Sequence, residues 1–503
     1  MTKNKISVLE LNNLDILGRR FNGYDLTEYI SQNYNNININ MLVNHQSTGK
    51  TLAKNIFRPR FLGEFDWIVA SNERKYLSVK NQLSITEEAL IRHPLYRSAD
   101  ILHFHQYHNM NLPIEFLGRI DPNKKIILEL HDTFWLTDKK IPMLEVFDYA
   151  GDNTDSLNKQ RKRILENTDI EIIVHSPYMF NLLKSSTTTK NLKNIHLINF
   201  GIDTKTFKPL KNCAQIRKKF KIEPSNIVLF CRAQKEFKGV DYIIEALKKI
   251  DKSLPLTIIT VANKGEFECL KNRFQIIDFG IVEDEHALAE LYNACDIFLS
   301  PSTEESFGFM AAEAMACGKP VVVFDGTALP FTTGAPDIGI SVKRNASALR
   351  GAILDLINNE DERLRRGADG IEFVRKNYSL KKYFQDYVDL FKKLSNSKPR
   401  IVTNGVVGRS GSTDIEDLTK TLKVASHDSI YTKNACKKYT PPIVNYNSKE
   451  AQELILKTNR EMYNKIKKRL PTITMLKIKQ KACITPVGQA ISKTKRIVRN
   501  KLK

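Results

Sequence analysis

Short apolar, β-branched runs alternate with amphipathic helical patterns along most of this chain. The helical patterns include residues 240–250 and 285–295, where apolar side chains recur at a helical spacing. A strand, then a helix, then a strand indicates parallel sheets with helices on both faces, and such sheets bind ligands beyond the carboxyl ends of their strands. The clearest candidate strands are residues 126–130, 171–174, 195–198, 226–231, 256–261, 296–300 and 320–324. The pattern therefore predicts an α/β fold.

The length of the chain predicts more than one domain, because 503 residues exceed what a single hydrophobic core usually holds. A break is expected at residues 201–212, GIDTKTFKPLKN, where glycine, proline and charged residues follow a strand. The second αβ region is expected to end in a helix over 379–394, and residues 398–412 have the composition of a linker. The expected domains are residues 1–205, residues 206–397 and a C-terminal extension over 398–503.

Most of the net charge lies in the C-terminal extension. Residues 398–503 contribute +17 of the formal charge of +22, through 24 Lys and Arg against 7 Asp and Glu. The body of the protein is thus unlike a nucleic-acid-binding domain, and the last forty residues lack the aromatic side chains that stack on bases. Apolar residues recur at helical spacing over 447–470, and the residues after them are basic. This pattern is compatible with a helix lying on anionic lipid or with a solvated basic tail.

The cysteines and the apolar runs indicate a cytoplasmic protein. Seven cysteines are scattered without a C-x-x-C pair, which favours free thiols in a reducing compartment over disulfides or a structural zinc site. The first residues, MTKNKISVLELNN, lack the apolar segment of a signal peptide, and no apolar run of about eighteen residues predicts a membrane span. We expect a cytoplasmic protein whose basic extension, if it binds lipid, lies at the inner face of the membrane.

The stretch PSTEESFGFMAAEAMACGKPVVVF, residues 301–324, places two carboxylates around a glycine-containing turn. The helix expected to begin near Phe309 presents unpaired amides and a positive dipole end at a sheet edge, which suits a phosphate or diphosphate. Gly308 lets a ligand approach this backbone closely. Glu305 and Glu313 would flank the anion and accept hydrogen bonds from hydroxyl groups on either side of it. A nucleotide sugar has this layout of sugar, diphosphate and ribose.

A second turn supplies cations for such an anion. Arg232 and Lys238 follow the candidate strand 226–231 in the segment FCRAQKEFKG. Arginine can hold phosphate oxygens through a planar fork, and lysine adds a point charge. The sequence contains no Asp-x-Asp motif that would supply ligands for a Mg²⁺-bridged diphosphate. We therefore expect a metal-independent site without a cofactor, in which these two side chains neutralise the diphosphate.

These motifs resemble those of retaining glycosyltransferases of family 4, which have the GT-B fold. The resemblance rests on the E-x7-E pair Glu305 and Glu313 with the following ACGKPVVVF, and on Arg232 with Lys238. It is strong over residues 195–395, weaker before them and absent after 398. It implies two Rossmann-like domains whose parallel sheets face each other across a cleft, an N-terminal acceptor domain and a C-terminal nucleotide-sugar domain.

The resemblance also implies roles for individual residues. Glu305 would contact the hydroxyls of the donor sugar, Arg232 and Lys238 would stabilise the departing diphosphate, and His131, directly after a strand, would face the donor sugar. Glu313 would hydrogen-bond the ribose. The remaining donor contacts would be made by backbone, at Gly308, Phe309 and Met310 for a phosphate and at Ile281 and Val282 for the base.

Several of these residues have competing structural interpretations. Glu313 could be a helix-face carboxylate in a salt bridge, Lys238 an exposed loop lysine, and His131 a histidine satisfied within the core. Asp132 could be a helix cap.

The segment ADILHFHQYHN invites a metal-site interpretation. His103 and His105 would share one face of a strand, with His108 following, but nothing acidic or cysteinyl accompanies them in the sequence. We interpret them as strand and cleft residues. Gly18 and Gly23 are expected in a loop before a helix, without the adjacent glycines typical of the family. The segment at 48–51, TGKT, lacks the upstream glycine of a phosphate loop and is rejected as a nucleotide site.

The sequence therefore predicts an enzyme that transfers a sugar from a nucleoside-diphosphate sugar to a saccharide or lipid-linked acceptor, in cell-surface polysaccharide or glycolipid synthesis. Two alternatives remain open. One is a GT-B epimerase that acts on a nucleotide sugar without an acceptor. The other is a catalytically silent GT-B subunit that only binds its partner.

Overall fold

The computed structural model describes residues 5–15, 19–46, 52–56, 79–136, 154–234, 237–263 and 265–401. These residues belong to one compact unit of the chain. The helix expected over 447–470, the segment 48–51 and Gly18 lie outside the described residues.

The first half of the chain forms a seven-stranded sheet in which every pairing is parallel. The strand order is β3-β2-β1-β4-β5-β6-β7. The chain therefore begins inside the sheet, adds β2 and β3 on one side of β1, and then returns to add β4 to β7 on the other side. The strands are β1 (Ile6–Leu14), β2 (Ile37–His45), β3 (Lys54–Asn55), β4 (Ile101–His105), β5 (Lys125–Glu129), β6 (Glu171–Val174) and β7 (Ile195–Leu197).

Helices connect these strands, as parallel pairing requires. Within the described residues they are α1 (Tyr24–Asn33), α2 (Val79–Arg92), α3 (Pro94–Ser98), α4 (Phe116–Arg119), α5 (Thr154–Asn167) and α6 (Pro177–Ser185), with a 3₁₀ turn at Tyr107–Asn109.

The second half forms a six-stranded parallel sheet of order β10-β9-β8-β11-β12-β13. Its strands are β8 (Ile227–Arg232), β9 (Leu256–Val261), β10 (Gln275–Asp278), β11 (Ile297–Ser300), β12 (Val321–Phe324) and β13 (Ile340–Val342). Its helices are α7 (Cys213–Lys219), α8 (Val240–Lys248), α9 (Glu285–Ala294), α10 (Phe309–Ala316), α11 (Leu329–Thr333), α12 (Ala346–Asn358), α13 (Glu360–Asn377) and α14 (Leu380–Ser395), with a 3₁₀ turn at Glu266–Leu270.

The predicted alternation is confirmed, and each of the seven candidate strands forms a strand whose ends differ from the prediction by at most one residue. The central strands are apolar along their whole length because helices cover both faces of the sheet. All positions of β5, β9 and β12 are buried.

The chain crosses between the two sheets twice, and the crossings lie side by side. Ile202 and Ser379 form an isolated parallel bridge, and the amide of Ile202 donates to the carbonyl of Tyr378 at 2.9 Å. A Cβ at Gly201 would lie 2.5 Å from Cα of Leu380, so only glycine allows this approach. The first crossing falls where a break was expected, while the boundaries at 205 and 397 stay predictions.

The final helix, α14, returns to the first sheet. Its buried face includes Phe384, which stacks on Tyr29 of α1 with ring centroids 4.0 Å apart. Tyr34 donates to the side chain of Gln385 at 3.0 Å. The last residues of the second half are thus part of the core of the first.

The start of the expected linker is held against the first half. The guanidinium of Arg400 is buried and donates to the carbonyls of Ile120 at 2.8 Å and Lys124 at 2.5 Å, and its amide donates to Pro122 at 2.8 Å. Burial lowers the pKa of Arg400 to about 10. Residues 398–401 therefore dock instead of forming a free linker, because these backbone carbonyls satisfy the arginine. No helix among the described residues is both long and apolar enough to span a bilayer.

Candidate active site

The loops after β8 and β11 meet at the carboxyl edge of the second sheet. Gly239 has φ +71°, and a Cβ there would overlap the carbonyl oxygen of Pro301. The amide of Thr303 donates to the carbonyl of Phe237 at 2.7 Å. Because β8 and β11 are neighbours, this contact brings the predicted cations and the first glutamate of the E-x7-E pair together.

Lys238 and Glu305 form an ion pair with Nζ and Oε2 2.6 Å apart. Their side chains are only 13% and 18% exposed, so Lys238 is not the exposed loop lysine of the competing interpretation. Arg232 lies in the same region, and among the described residues its guanidinium has no hydrogen bond or ion pair. Burial lowers the pKa of Arg232, and the charge of Glu305 opposes that change. The site thus contains a paired cation and an available one.

The helices that follow β8 and β11 at this edge lack side-chain caps. Helix α10 starts after Gly308 (φ +99°), and α8 starts after Gly239, whereas Asp284 caps α9 by accepting from the amide of Ala287 at 2.7 Å. Within the described part of the chain, the amides of Gly308, Phe309 and Met310 have no acceptor, and these residues are partly exposed. Such amides are available to an anion.

Glu313 is fully buried on α10 and has a partner at each oxygen. Tyr292 on α9 donates to its Oε2 at 2.8 Å. Nη1 of Arg20 pairs with its Oε1, and Nε of Arg20 lies 3.4 Å from Glu285. Arg20 belongs to the loop between β1 and α1, so this ion pair joins the two halves of the chain. Glu313 thus forms a salt bridge, as the competing interpretation held, while its contact with a ribose stays a prediction. The sequence did not indicate Arg20 as its partner.

A second contact fixes the loop before α10 against the first half. Ser176 caps α6 and its hydroxyl also donates to the carbonyl of Ser306 at 2.7 Å. Thr332 donates to the carbonyl of Phe307 at 2.6 Å. The amides at the start of α10 are therefore held in position from both sides.

His131 lies two residues after the end of β5, among aromatic rings that connect it to α10. Its ring centroid is 5.7 Å from that of Phe21 and 5.9 Å from that of Phe200. Both phenylalanines also contact Phe309, at 6.3 Å and 4.6 Å. The structure therefore brings the predicted residues of the two halves into one region.

The environment of His131 keeps the imidazole neutral. Burial lowers its pKa to about 3, although Nε2 lies 3.3 Å from Oε1 of Glu129. His175, stacked on it with centroids 5.3 Å apart, contributes to the same lowering. A neutral ring can donate one hydrogen bond and accept another, so it suits a sugar hydroxyl better than a phosphate.

Two glutamates converge on His103 and His105, contrary to the sequence-based expectation that nothing acidic accompanies them. Oε2 of Glu10, on β1, lies 2.9 Å from Nδ1 of His103 and 2.6 Å from Nε2 of His105. Oε2 of Glu129, on β5, lies 2.8 Å from Nε2 of His103 and 3.4 Å from Nδ1 of His105. We call these four fully buried residues the buried quartet. The sequence hid it because its carboxylates lie on the two strands that flank β4.

Charge within the buried quartet is balanced by shared protons. Burial alone would lower the pKa of His103 and His105, but the carboxylates raise both, His105 to about 10. Burial alone would raise the pKa of Glu10 and Glu129, but the imidazoles lower both. Tyr387 of α14 completes the group by donating to Oε2 of Glu129 at 2.7 Å. The carboxylates therefore favour the protonated form of both imidazoles inside the core.

The buried quartet and His131 consist of residue types that bind metal ions. Two sets of possible ligand atoms, Glu10 with His103 and His105, and His105 with Glu129 and His131, lie within 4.8 Å of one another. The shortest imidazole-to-carboxylate distances in the first set, 2.6 and 2.9 Å, are below the roughly 3.3 Å between ligands of a tetrahedral zinc ion with bonds of about 2.0 Å. The spacing fits hydrogen bonds better than coordination.

Asp132 is not a helix cap. Its Oδ1 accepts from the amide of Phe134 at 2.9 Å within a turn, and Oδ2 lies 3.1 Å from Nε2 of His108. Burial would raise the pKa of Asp132, but His108 lowers it overall. The carboxylate therefore organises the turn after β5, which positions His131.

The segment expected to present backbone to a base follows β10. Ile281 is 82% exposed, and the carbonyl of the preceding Gly280 accepts from the amide of Ala262 at 2.7 Å. Val282 is partly buried. A base-binding role for Ile281 and Val282 stays a prediction.

Residues 213–373 match the family described as glycosyl transferases group 1. The match covers α7 to α13 and includes Arg232, Lys238, Glu305 and Glu313.

Relatives with assigned activities match less than half of the chain. A GDP-mannose-dependent alpha-(1-6)-phosphatidylinositol dimannoside mannosyltransferase of Mycobacterium tuberculosis is 29% identical over 179 residues, 35% of this chain and 47% of that protein. A D-inositol 3-phosphate glycosyltransferase of Xylanimonas cellulosilytica is 26% identical over 224 residues, 42% of this chain and 54% of that protein. This chain thus spans about half the length of the curated relatives that it matches.

Solved structures match both halves and show that the fold is GT-B. Sucrose-phosphate synthase from Thermosynechococcus elongatus aligns with a TM-score of 0.57 at 19% identity, covering 78% of this chain and 99% of that one. The HepE protein of Anabaena, solved in complex with UDP and glucose, aligns with a TM-score of 0.55 at 15% identity, covering 76% and 99%. The GT-B fold expected from the sequence is therefore confirmed.

Proposed function

We propose that this protein is a retaining glycosyltransferase of family 4 that transfers a sugar from a nucleoside-diphosphate sugar to a saccharide or lipid-linked acceptor. One observation carries the proposal. The Lys238–Glu305 ion pair, the available Arg232 and the open amides at the start of α10 lie at one sheet edge that faces the first half of the chain.

The comparisons support the same reading. The matched family and the mannosyl- and inositol-phosphate glycosyltransferases transfer sugars, and structures of the Anabaena protein contain UDP or UDP-glucose. Transfer onto a cell-surface polysaccharide or a glycolipid remains part of the proposal, as does attraction of the basic extension to the cytoplasmic face of an anionic membrane.

Binding of the proposed donor would separate the Lys238–Glu305 ion pair and give each side chain a new partner on the donor. Lys238 would turn from Glu305 to a phosphate oxygen, and Glu305 would then accept from hydroxyls of the sugar. Arg232 and the amides of Gly308 to Met310 would hold the diphosphate. Cleavage of the sugar–phosphate bond makes the diphosphate more negative, so these groups bind it more strongly as the reaction proceeds, which lowers the barrier.

Retention in this proposal needs no carboxylate nucleophile. The acceptor would attack from the face of the leaving group, and a leaving phosphate oxygen would take the proton of the acceptor. Neutral His131 would hydrogen-bond a donor hydroxyl and orient the sugar. Glu305 orients hydroxyls and does not attack carbon, unlike the nucleophile of a retaining glycosidase.

Two substitutions test the proposal directly. With uridine-, guanosine- and thymidine-diphosphate sugars as donors, we expect Glu305→Gln and Lys238→Ala to lower the rate of nucleoside-diphosphate release by at least about 100-fold, the usual effect of removing a group that stabilises developing charge. The measurement is the rate at which the purified protein releases the nucleoside diphosphate, with and without acceptor saccharides.

The chain offers matched controls for both variants. Glu304 is exposed beside Glu305, and Lys248 is exposed at the end of α8, so Glu304→Gln and Lys248→Ala should keep activity within about twofold. Turnover of the Glu305→Gln variant at the wild-type rate would refute the assignment. Interconversion of the donor sugar without acceptor would identify an epimerase, and nucleotide-sugar binding without turnover would identify a silent binding subunit.

A further inference from the structure

The side chain of Arg20 occupies the region where the proposed function places the ribose. Its Nη1 pairs with Oε1 of Glu313, a carboxylate with no exposed surface. A buried charge of this kind needs a counter-charge, since an unpaired ion in the interior is strongly unfavourable. Arg20 supplies that charge.

The remaining contacts of Arg20 also lie in the second half of the chain. Nε is 3.4 Å from Oε1 of Glu285, the first residue of α9. The guanidinium carbon lies 5.7 Å from the ring centroid of Phe207 and 5.2 Å from that of Phe309. Arg20 therefore extends from the β1–α1 loop to the second half of the chain, and 29% of its side chain is exposed.

This arrangement conflicts with ribose binding unless Arg20 has a second partner. Arg20 and Tyr292 already engage the two oxygens of Glu313. Glu313 and Tyr292 have no exposed surface, whereas Arg20 is partly exposed, so a ribose hydroxyl can reach the carboxylate only if Arg20 yields part of its contact. A neutral hydroxyl cannot replace the charge of Arg20, so the guanidinium must remain close to Glu313.

In the proposed function, a phosphate one helical turn away would accept hydrogen bonds from the guanidinium as it moves. Phe309 and Glu313 are four residues apart on α10 and so lie on the same helix face, about 5–6 Å apart at Cβ. The amides proposed to hold a phosphate are at Phe309 and its neighbours. A guanidinium has five N–H donors in a rigid fork and can contact a carboxylate and a phosphate together.

We infer that Arg20 is a donor-binding residue whose guanidinium keeps its ion pair with Glu313 in part and contacts the diphosphate when the donor binds. The inference rests on the proposed function and adds to it a diphosphate contact from the N-terminal half. Because Arg20 and the uncapped helix belong to different halves of the chain, a diphosphate held by both would also link the two halves across the cleft.

The test compares ligands that differ only in the diphosphate. Calorimetric titration of the full-length protein with uridine, UDP, guanosine and GDP gives, for the base that binds, the ratio of diphosphate to nucleoside affinity. In Arg20→Ala we expect this ratio to fall at least tenfold, because the contact with the diphosphate is lost. Arg20→Lys, which keeps the charge near Glu313 but lacks the fork, should lower it at least threefold.

Arg19 provides the matched control. It pairs with Asp25 and, at 2.8 Å, with Glu28, both on α1 of its own domain, so Arg19→Ala should leave the ratio unchanged. An unchanged ratio in both Arg20 variants would show that Arg20 acts only on Glu313 and would overturn the inference, even if both affinities fell together. Failure of the wild-type protein to bind UDP, GDP or any nucleotide sugar would instead overturn the proposed function as well.

Discussion

His131 and His105 show how strongly local charge decides the state of a histidine. Their ring centroids are 5.8 Å apart and both are buried, yet the pKa is about 3 for His131 and about 10 for His105. His105 lies between two carboxylates. For His131, burial outweighs the carboxylates of Glu129 and Asp132, and His175 and His105 add repulsion.

This difference predicts how activity depends on pH. Because His131 stays neutral above about pH 3, its titration should not appear in kcat/KM between pH 5.5 and 8. The variant His131→Asn should lose about tenfold in kcat/KM at every pH, since it removes one hydrogen bond to the donor and changes no charge.

The measurement is kcat/KM for the donor across that range, with His286→Asn as the control because His286 is exposed on α9. An acid limb near pH 6.5 that is present in the wild type and lost in His131→Asn would contradict the neutral assignment.

The sequence located the side chains of the second half better than those of the first. Glu305 and Lys238 each follow a strand in a βαβ pattern, and a parallel sheet brings such loops to one edge, so their meeting could be anticipated. The sequence could not place Glu10 and Glu129 beside His103. The apolar pattern of a strand shows that it is buried but does not show which strands are its neighbours in the sheet, here β1-β4-β5. Arg20 was missed because the reach of a loop arginine depends on how the domains face each other.

At the level of strands, the buried quartet joins β1, β4 and β5 and makes their pairing depend on pH. A histidine whose pKa is raised on folding stabilises the native state below its unfolded pKa of about 6.5, and that stabilisation is lost as the pH rises through the folded value. For His105 the folded value is about 10. His131, whose pKa is lowered, makes no further contribution above pH 6.5.

We therefore expect the free energy of unfolding to fall by about 1 kcal/mol or more between pH 7 and pH 8, a window below the ordinary pKa of cysteine. Urea unfolding of the wild type at several pH values measures this slope. The slope should be shallower in His105→Gln and in Glu10→Gln, which removes one of the two carboxylates. Equal slopes in the wild type and both variants would contradict the paired state of the quartet.

At the scale of the whole molecule, the two halves depend on a narrow double crossing. Gly201 approaches α14 so closely that an added Cβ would lie 2.5 Å from Cα of Leu380 and 3.1 Å from Cβ of Tyr383. The backbone on both sides would have to separate to admit even a methyl group. The same helix carries Tyr387 to the buried quartet, so a shift there would reach the first sheet.

The variant Gly201→Ala should accordingly destabilise the protein by about 1–3 kcal/mol, the usual cost of overpacking. Thermal unfolding should show a Tm lower by roughly 2–10 °C. Gly351→Ala is the matched control, because a Cβ at Gly351 on α12 would meet no atom within 4 Å and alanine favours a helix. Equal Tm values for the two variants would show that the crossing tolerates the added group.

The paired crossing also restricts how nucleotide could leave. Two adjacent segments tied by the Ile202–Tyr378 hydrogen bond can bend together about a single axis, but they resist sliding or stretching. Opening is then a rotation in which displacement grows with distance from that axis, so the outer rim of the cleft separates first. The nearer to that axis a nucleoside diphosphate from the proposed reaction lies, the later it would meet solvent.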